Sequence, residues 1–433
     1  MKAEIFDGMQ YFFGRFNDHQ IRARLEFCGE LDAERLERAA RLSARRIPVL
    51  GCRFVPGAAR PRWEPAGGAD APELFSFMRA DARDAEAQAQ RFLTQRPDER
   101  FAPQVRVRLL RAPQGDILCV LMNHMVCDGA GFREYLCLLA ELYAGNADAR
   151  ANVEGARGVE QLFRRFSPEQ KRAAFRKNPA APAGSPARFP LAPRQPGAAP
   201  RILTYTLPRE RFLRLKAYGK RRGATVNDTV LTACARALER MPGLDRNGPP
   251  ALPCMVDLRR YLPGGKAESV CCNLASMVVC AVGETSGEGF DATLARVHAR
   301  MAAQKSGFPG LAGLYALRAA FALPFPLTCA LLGRFYANPL IGVTNIGVLD
   351  EKRLNFGDIP LKSAFAAASL KYAPYFQLGF TTFRGDVIFS AGQYCGPGDR
   401  EAIERFFGLL GEELARADDG AADGGGNSGG NGA

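Results

Sequence analysis

Ile117-Leu118-Cys119-Val120-Leu121-Met122 runs directly into Asn123-His124-Met125-Val126-Cys127-Asp128-Gly129, and the reading of the whole chain turns on these thirteen residues. Six consecutive apolar residues leave no face for water, so residues 117–122 read as a central strand buried on both sides. Val105, Val107 and Leu109 alternate before the turn Ala112-Pro113-Gln114-Gly115-Asp116, which makes the pair a hairpin. After the loop, Phe132, Tyr135, Leu136, Leu139, Leu142 and Tyr143 recur at helical spacing. His124 thus stands on a tight loop between a buried strand and a helix. The other two histidines, His19 among polar residues and His298 ahead of Ala299 and Arg300, read as surface groups. A neutral imidazole at the mouth of a strand can take a proton from an alcohol or amine as that group attacks a thioester carbonyl. Its ordinary pKa near about 6.5 suits neutral pH. Asp128 is placed to hold the loop rather than to relay charge, provided an arginine meets it. The plainer alternative is a satisfied core histidine with Asp128 as a helix cap. Cys127 as a nucleophile is the weaker idea, since a shared tight loop gives poor control of its geometry.

Working outward, Ile21, Ala23, Leu25 and Phe27 alternate with Arg22, Arg24 and Glu26, the pattern of a half-buried strand. Asp32 caps a helix whose face carries Leu36, Ala39, Ala40 and Ser43 and which ends before Pro48. Seven prolines between 178 and 200 preclude a sustained helix or ladder there. The expected division is therefore an N-terminal unit over 1–177, a linker or crossover over 178–200, a C-terminal unit over 201–416 and a disordered Gly-rich tail over 417–433. In the second unit Thr225-Val226-Asn227-Asp228 forms a capping box on a helix burying Val230, Ala233, Cys234, Ala237 and Met241. Strands are expected at 202–207, 253–257, 275–282, 341–345, 376–383 and 386–391, and a final helix buries Ile403, Phe406, Phe407, Leu410 and Leu414.

Composition narrows the function classes. The chain has 433 residues, 47% hydrophobic and 24% charged, which is globular and excludes fibrous or wholly disordered readings. A net charge of +13 favours polyanions such as coenzyme A phosphates or an acidic carrier protein. The positive charge is dispersed apart from 164–177 and no aromatics are interleaved with it, so nucleic acid is not an expected partner. The twelve cysteines include no Cys-x-x-Cys pair, so spacing offers no metal site, and most read as reduced core residues. No apolar leader follows a basic stretch at the N-terminus, which points to the cytoplasm. Residues 319–333 are almost wholly apolar, but fifteen residues with Pro324 and Pro326 fall short of the about 20 a spanning helix needs. A buried or substrate-facing helix is expected there, with peripheral membrane contact left open.

The motif from Asn123 to Gly129 resembles the signature of the condensation-domain and chloramphenicol-acetyltransferase-like acyltransferase superfamily. That group includes nonribosomal peptide condensation domains, plant-type alcohol acyltransferases and wax ester synthases. Its motif is His-His-x-x-x-Asp-Gly or His-x-x-x-Asp-Gly, and Asn123 takes the place of the first histidine, which leans toward acyl transfer over amide-bond condensation. Asp257-Leu258-Arg259-Arg260 resembles the segment whose arginine pairs with the motif aspartate, with Arg259 the choice and Arg260 the fallback. Asn273-Leu274-Ala275-Ser276, Val343-Thr344-Asn345-Ile346-Gly347 and the degenerate Asn355-Phe356-Gly357-Asp358 resemble further family segments in the right order. The resemblance implies an α/β fold of two similar chloramphenicol-acetyltransferase-like subdomains, each a mixed sheet with helices, with a channel between them. It implies an acyltransferase moving an acyl group from a thioester to an alcohol or amine. His124 would be its base, Asp128 and Arg259 the loop-holding pair, and Gly129 the residue permitting the turn. Substrate contacts are expected from Asn123, Asn273, Thr344 and Asn345. No cofactor is bound permanently; acyl-CoA or acyl-phosphopantetheine on an acidic carrier protein is the co-substrate, and a small molecule is the acceptor. The alternatives are a wax-ester or glycerolipid acyltransferase with hydrophobic substrates, and a non-catalytic condensation-like module that binds a carrier protein.

Overall fold

The computed structural model describes residues 1–146, 155–177, 187–193, 197–245, 251–305, 308 and 310–419. Its strands in chain order are β1 (Gln20–Phe27), β2 (Cys52–Val55), β3 (Arg62–Pro65), β4 (Phe75–Arg79), β5 (Val105–Ala112) and β6 (Gly115–Asn123) in the first half. The second half supplies β7 (Ala199–Leu207), β8 (Ala251–Asp257), β9 (Ala275–Ala281), β10 (Ile341–Leu349), β11 (Leu361–Ala367), β12 (Phe376–Phe383) and β13 (Asp386–Cys395). One sheet has the order β11-β1-β6-β5-β4 and the other β7-β13-β12-β10-β8-β9, with β2 and β3 forming a small ribbon. Both large sheets are mixed. β4 runs parallel to β5 in the first, and β10 runs parallel to β8 and β12 in the second.

The apolar run 117–122 lies in β6, flanked on both edges and buried from Asp116 to Asn123. Helices Ala33–Arg46 and Gly129–Tyr143 close one face, their Leu36, Ala39, Phe132, Tyr135 and Leu139 meeting Leu25, Leu118 and Val120. Asp32 caps the first of these helices as its spacing requires, accepting from the Arg35 N–H at 2.9 Å. In the second half, the Thr225–Asp228 capping box opens helix Val226–Glu239, and Val230, Ala233, Cys234, Ala237 and Met241 all enter that half's core.

One strand departs from the division expected from sequence. β11 comes from the second half yet pairs antiparallel with β1, from Arg22 opposite Ala367 to Glu26 opposite Ser363. This corrects the reading of β1 as a strand with a wet face. β1 has neighbours on both edges, and helix Asp84–Leu93 covers the face that carries the arginines. Arg22 is consequently fully buried. Its guanidinium pairs with Asp18 and donates to the carbonyls of Leu93 (2.5 Å), Gln20 (2.7 Å) and Ala368 (3.1 Å).

Three further expectations change. Helix Asp399–Asp419 runs past 416 and buries Ala417, so the last packed residues lie inside what was read as tail; 420–433 and most of the proline-rich stretch (178–186 and 194–196) lie outside the described residues. Residues 319–333 do not form one buried helix. Helices Leu311–Ala320 and Phe325–Phe335 meet near Pro324, and Leu323 and Leu327 are exposed although Leu314, Phe325 and Leu332 are buried. Apolar composition did not translate into burial here because each helix packs only one face, against helix Ile5–Phe13 and the Phe163 cluster. His19, read as a surface group, is buried with Nδ1 3.1 Å from Glu99.

Arg22→Ala strips a buried carboxylate and three carbonyls of their donor. Its expected cost is about 3–5 kcal/mol, read as a lowered denaturant midpoint, whereas an exposed arginine would shift it hardly at all.

Candidate active site

The loop from Asn123 to Asp128 is held from below by its own half and from the side by the other. Asn123 Oδ1 accepts the Met125 N–H at 2.9 Å, and its Nδ2 donates to Gln104 Oε1 at 2.7 Å. The Gln104 amide in turn donates to the carbonyls of Cys52 and Phe101, both at 2.8 Å, so a buried chain of amides fixes the strand end. The His124 N–H donates to the His19 carbonyl at 2.5 Å. From the second half, Asn273 Nδ2 donates to the carbonyls of His124 and Met125, both at 3.0 Å.

Asp128 does three jobs with two oxygens. Oδ1 caps helix Gly129–Tyr143 by accepting the Gly131 N–H at 2.9 Å. Oδ2 accepts from Arg259 Nη1 at 2.8 Å and from the Leu274 N–H at 2.7 Å. Arg259 is buried too and also donates to Asp257 Oδ1 and the Cys272 carbonyl, both at 3.1 Å. Arg260, the fallback, is exposed and lies over its neighbour Tyr261. Burial alone would push the Asp128 carboxyl up. The Arg259 charge and its hydrogen bond, with the Gly131 and Leu274 N–H groups, outweigh that and hold it below the usual carboxylate range.

His124 itself is only half-buried. Nδ1 is enclosed, with no hydrogen-bond partner on any other described residue. Burial pulls the imidazole below its ordinary pKa; its own backbone carbonyl and Asp128 pull the other way, and Lys371 and His19 add to the lowering. The side chain is therefore neutral at pH 7 and able to accept a proton.

The expected contacts sort into two groups. His124, Asp128, Gly129, Arg259 and Asn273 converge, but Asn273 holds the loop rather than facing a substrate. Asn123 is buried and fully engaged below the loop, which corrects its reading as a substrate contact. Gly129 has no left-handed backbone. A Cβ there would meet Ile346 Cγ2 at 3.4 Å, an ordinary van der Waals contact, so neither backbone conformation nor space demands glycine and the reading of Gly129 as the residue permitting the turn is corrected. Asn345 is exposed, its Oδ1 accepting the Gly347 N–H at 2.9 Å across a bulge, and Thr344 is half-buried beside Gly379; among the described residues neither bonds to the His124 loop. Cys127 is fully buried with Sγ 3.2 Å from Met122 Sδ, and burial pushes its thiol far up, so it is no nucleophile. Among the described residues no cluster of His, Cys, Asp or Glu is placed to hold a metal, and no helix is long and apolar enough to cross a membrane.

Two supports had no signal in the sequence. Arg157 forms a buried pair with Asp7 (3.0 Å) and donates to the carbonyls of Val126 (3.1 Å) and Cys271 (2.7 Å), tying the loop to both halves. Gln104 is the other. A single polar residue at a strand end announces nothing until its partners are known.

No family model and no curated protein matches this sequence. Its structure does match solved ones. The epimerization domain from the third module of tyrocidine synthetase B superposes with a TM-score of 0.68 at 16% identity, covering 98% of each chain. The first condensation domain of the calcium-dependent antibiotic synthetase, in complex with a substrate analogue, gives 0.67 at 17% identity over 97% of this chain and 96% of that one. The protein SgcC5 from Streptomyces globisporus, solved with (R)-(-)-1-(2-naphthyl)-1,2-ethanediol and sucrose, gives 0.68 at 14% identity over 96% and 99%. The fold is that of a condensation domain. Each half holds a mixed sheet with helices, as the resemblance implied, and the His124 loop is held by Arg259 and Asn273 of the second half.

Asp128→Asn and Arg259→Ala are each expected to cost about 3–5 kcal/mol of stability, because each strands a buried charge or its partners. In a double-mutant cycle the two losses are strongly non-additive; additive losses would show that the pair contributes no mutual interaction.

Proposed function

We propose that this chain is an acyl- or peptidyl-transferring enzyme in which His124 is the general base. The donor is a thioester, on coenzyme A or on the phosphopantetheine of an acidic carrier protein, and the acceptor is an alcohol or amine. The observation that carries this reading is the neutral, half-buried imidazole on a loop that Asn123, Asn273, Arg157 and Asp128 hold in place from both halves. On such a loop the imidazole takes the proton as the acceptor oxygen or nitrogen attacks the thioester carbonyl. The bond formed is the new ester or amide, the bond broken is carbon–sulfur, and the proton ends on the departing thiol. Electrostatic support for the carbonyl oxygen falls to N–H groups or side chains of the opposing half, with Thr344 and Asn345 the candidates from sequence. Similarity to a protein solved with an aryl ethanediol supports alcohols among the acceptors to be tried first. Helices Leu311–Ala320 and Phe325–Phe335, with the turn between them, carry exposed Leu323 and Leu327, and a preference for hydrophobic, medium-to-long acyl donors is read from a donor series of increasing length.

The direct test is thiol release and product formation by purified protein with acyl-CoA donors of increasing chain length and with acyl-loaded carrier protein, against pooled alcohols and amines. Transfer is expected, and His124→Ala should lower it about 100- to 10,000-fold with the fold intact. Folded protein that binds carrier but transfers nothing would instead identify a non-catalytic module. Because burial holds His124 below its ordinary pKa, the free enzyme's base stays deprotonated through neutrality. kcat/KM is therefore expected to fall with pH with a midpoint below the ordinary imidazole value of about 6.5. A midpoint at or above that value would place the base elsewhere.

A further inference from the structure

Residues 17–19 form a short seam between His124 and a second polar side chain, Lys371. His19 accepts the His124 N–H through its carbonyl, the Asp18 N–H donates to the Leu370 carbonyl at 3.0 Å, and Asn17 pairs with Lys371 as an antiparallel bridge. Lys371 Nζ donates to Asn17 Oδ1 at 2.8 Å, and among the described residues no carboxylate lies within ion-pair distance of it. Asp18, the nearest acid, is already engaged by Arg22 and by the N–H groups of Gln20 (3.2 Å) and Leu370 (2.9 Å). An ammonium has three N–H donors, so two remain for something else. Burial draws Lys371 down to about 8, partly opposed by Asp18, and the lysine's charge is felt at His124. Two residues away, the buried Ser369 hydroxyl also lacks a partner among the described residues. The surroundings are aromatic: Phe16 packs on Tyr375 with ring centroids 5.0 Å apart and on Tyr336 at 6.4 Å, and Tyr372 is buried.

An ammonium half-buried, with no carboxylate within ion-pair distance among the described residues, is an unfavourable arrangement unless a ligand brings the missing charge. From this placement we infer that Lys371 is the counter-ion for a carboxylate on the substrate that enters beside His124, and that this substrate is an apolar, aryl-type carboxylate. The inference rests on the transferase reading of the same site and deepens it by naming the substrate class. A resting carboxylate, rather than only the transient oxyanion of the reaction, fits a charge that is uncompensated in the free protein.

The experiment measures binding without any thioester, so its result is independent of catalysis. 3-Phenylpropanoate and its uncharged amide are titrated by calorimetry into wild type, Lys371→Met, Lys371→Arg and His124→Ala. Wild type should prefer the carboxylate by about tenfold or more, the worth of one charge-assisted hydrogen bond. Lys371→Met should lose that preference, while Lys371→Arg and His124→Ala keep most of it. Equal binding of acid and amide by wild type, no binding of either, or an unchanged preference in a folded Lys371→Met overturns the inference. The wild-type preference needs no variant, so a Lys371→Met that fails to fold still leaves a decisive comparison. Transfer activity without carboxylate preference would sink this inference alone; carboxylate preference without transfer would sink the proposed function alone.

Discussion

The ion pair between Asp128 and Arg259 is the constraint on which the site rests. Its two members come from opposite halves, and both are buried. A lone carboxylate there would be driven toward its neutral form by burial, and a lone guanidinium would have no such escape. Each is tolerable only when the other half is docked. The same Asp128 caps the helix that follows the loop, so helix, loop and interface are fixed by one side chain. Buried pairs of this kind add little net stability over an apolar alternative, but removing one partner is severe. Here the pair acts mainly as a geometric lock that sets where His124 stands.

Two similar locks surround it. Asp7 with Arg157 ties the N-terminal helix to the carbonyls beneath the loop, and Asp18 with Arg22 ties the seam 17–19 to the strand that crosses over from the second half. All three aspartates are buried, and each has hydrogen-bond partners besides its arginine. The crossover of β11 onto β1 adds backbone hydrogen bonds between the halves, so the two sheets do not separate as independent bodies without breaking a ladder. The backbone at such a seam holds the His124 side chain in position, which the proposed role as a base requires.

Burial is the largest influence on the His124 imidazole and disfavours its charged form; its own backbone carbonyl and Asp128 oppose this, while Lys371 and His19 add smaller contributions to the lowering. A histidine in that setting is a base rather than an acid in the resting protein. Burial lowers the proton affinity of Lys371 as well, and the lysine's charge is felt at His124.

Much of this was legible in the sequence where local chemistry is sufficient. The doubly buried strand 117–122, the His124-to-Gly129 loop, the cap at Asp32 and the box at Thr225 each follow from period, apolar run or capping pattern. The choice of Arg259 over Arg260 came from resemblance, and the structure pairs Arg259 with Asp128. What the sequence could not decide was which faces are covered and by what. Arg22 sits in an alternating strand yet is buried, because helix Asp84–Leu93 and β11 arrive from elsewhere in the chain. Residues 311–335 are apolar yet partly exposed, because among the described residues each helix packs on one face. Asn123, Asn273 and Lys371 have roles that depend on partners roughly 19 to 354 positions away in the chain, and no periodicity encodes such distances. Local propensity and pattern set the elements; burial and pairing across the two halves, which exist only once the chain is folded, set the site.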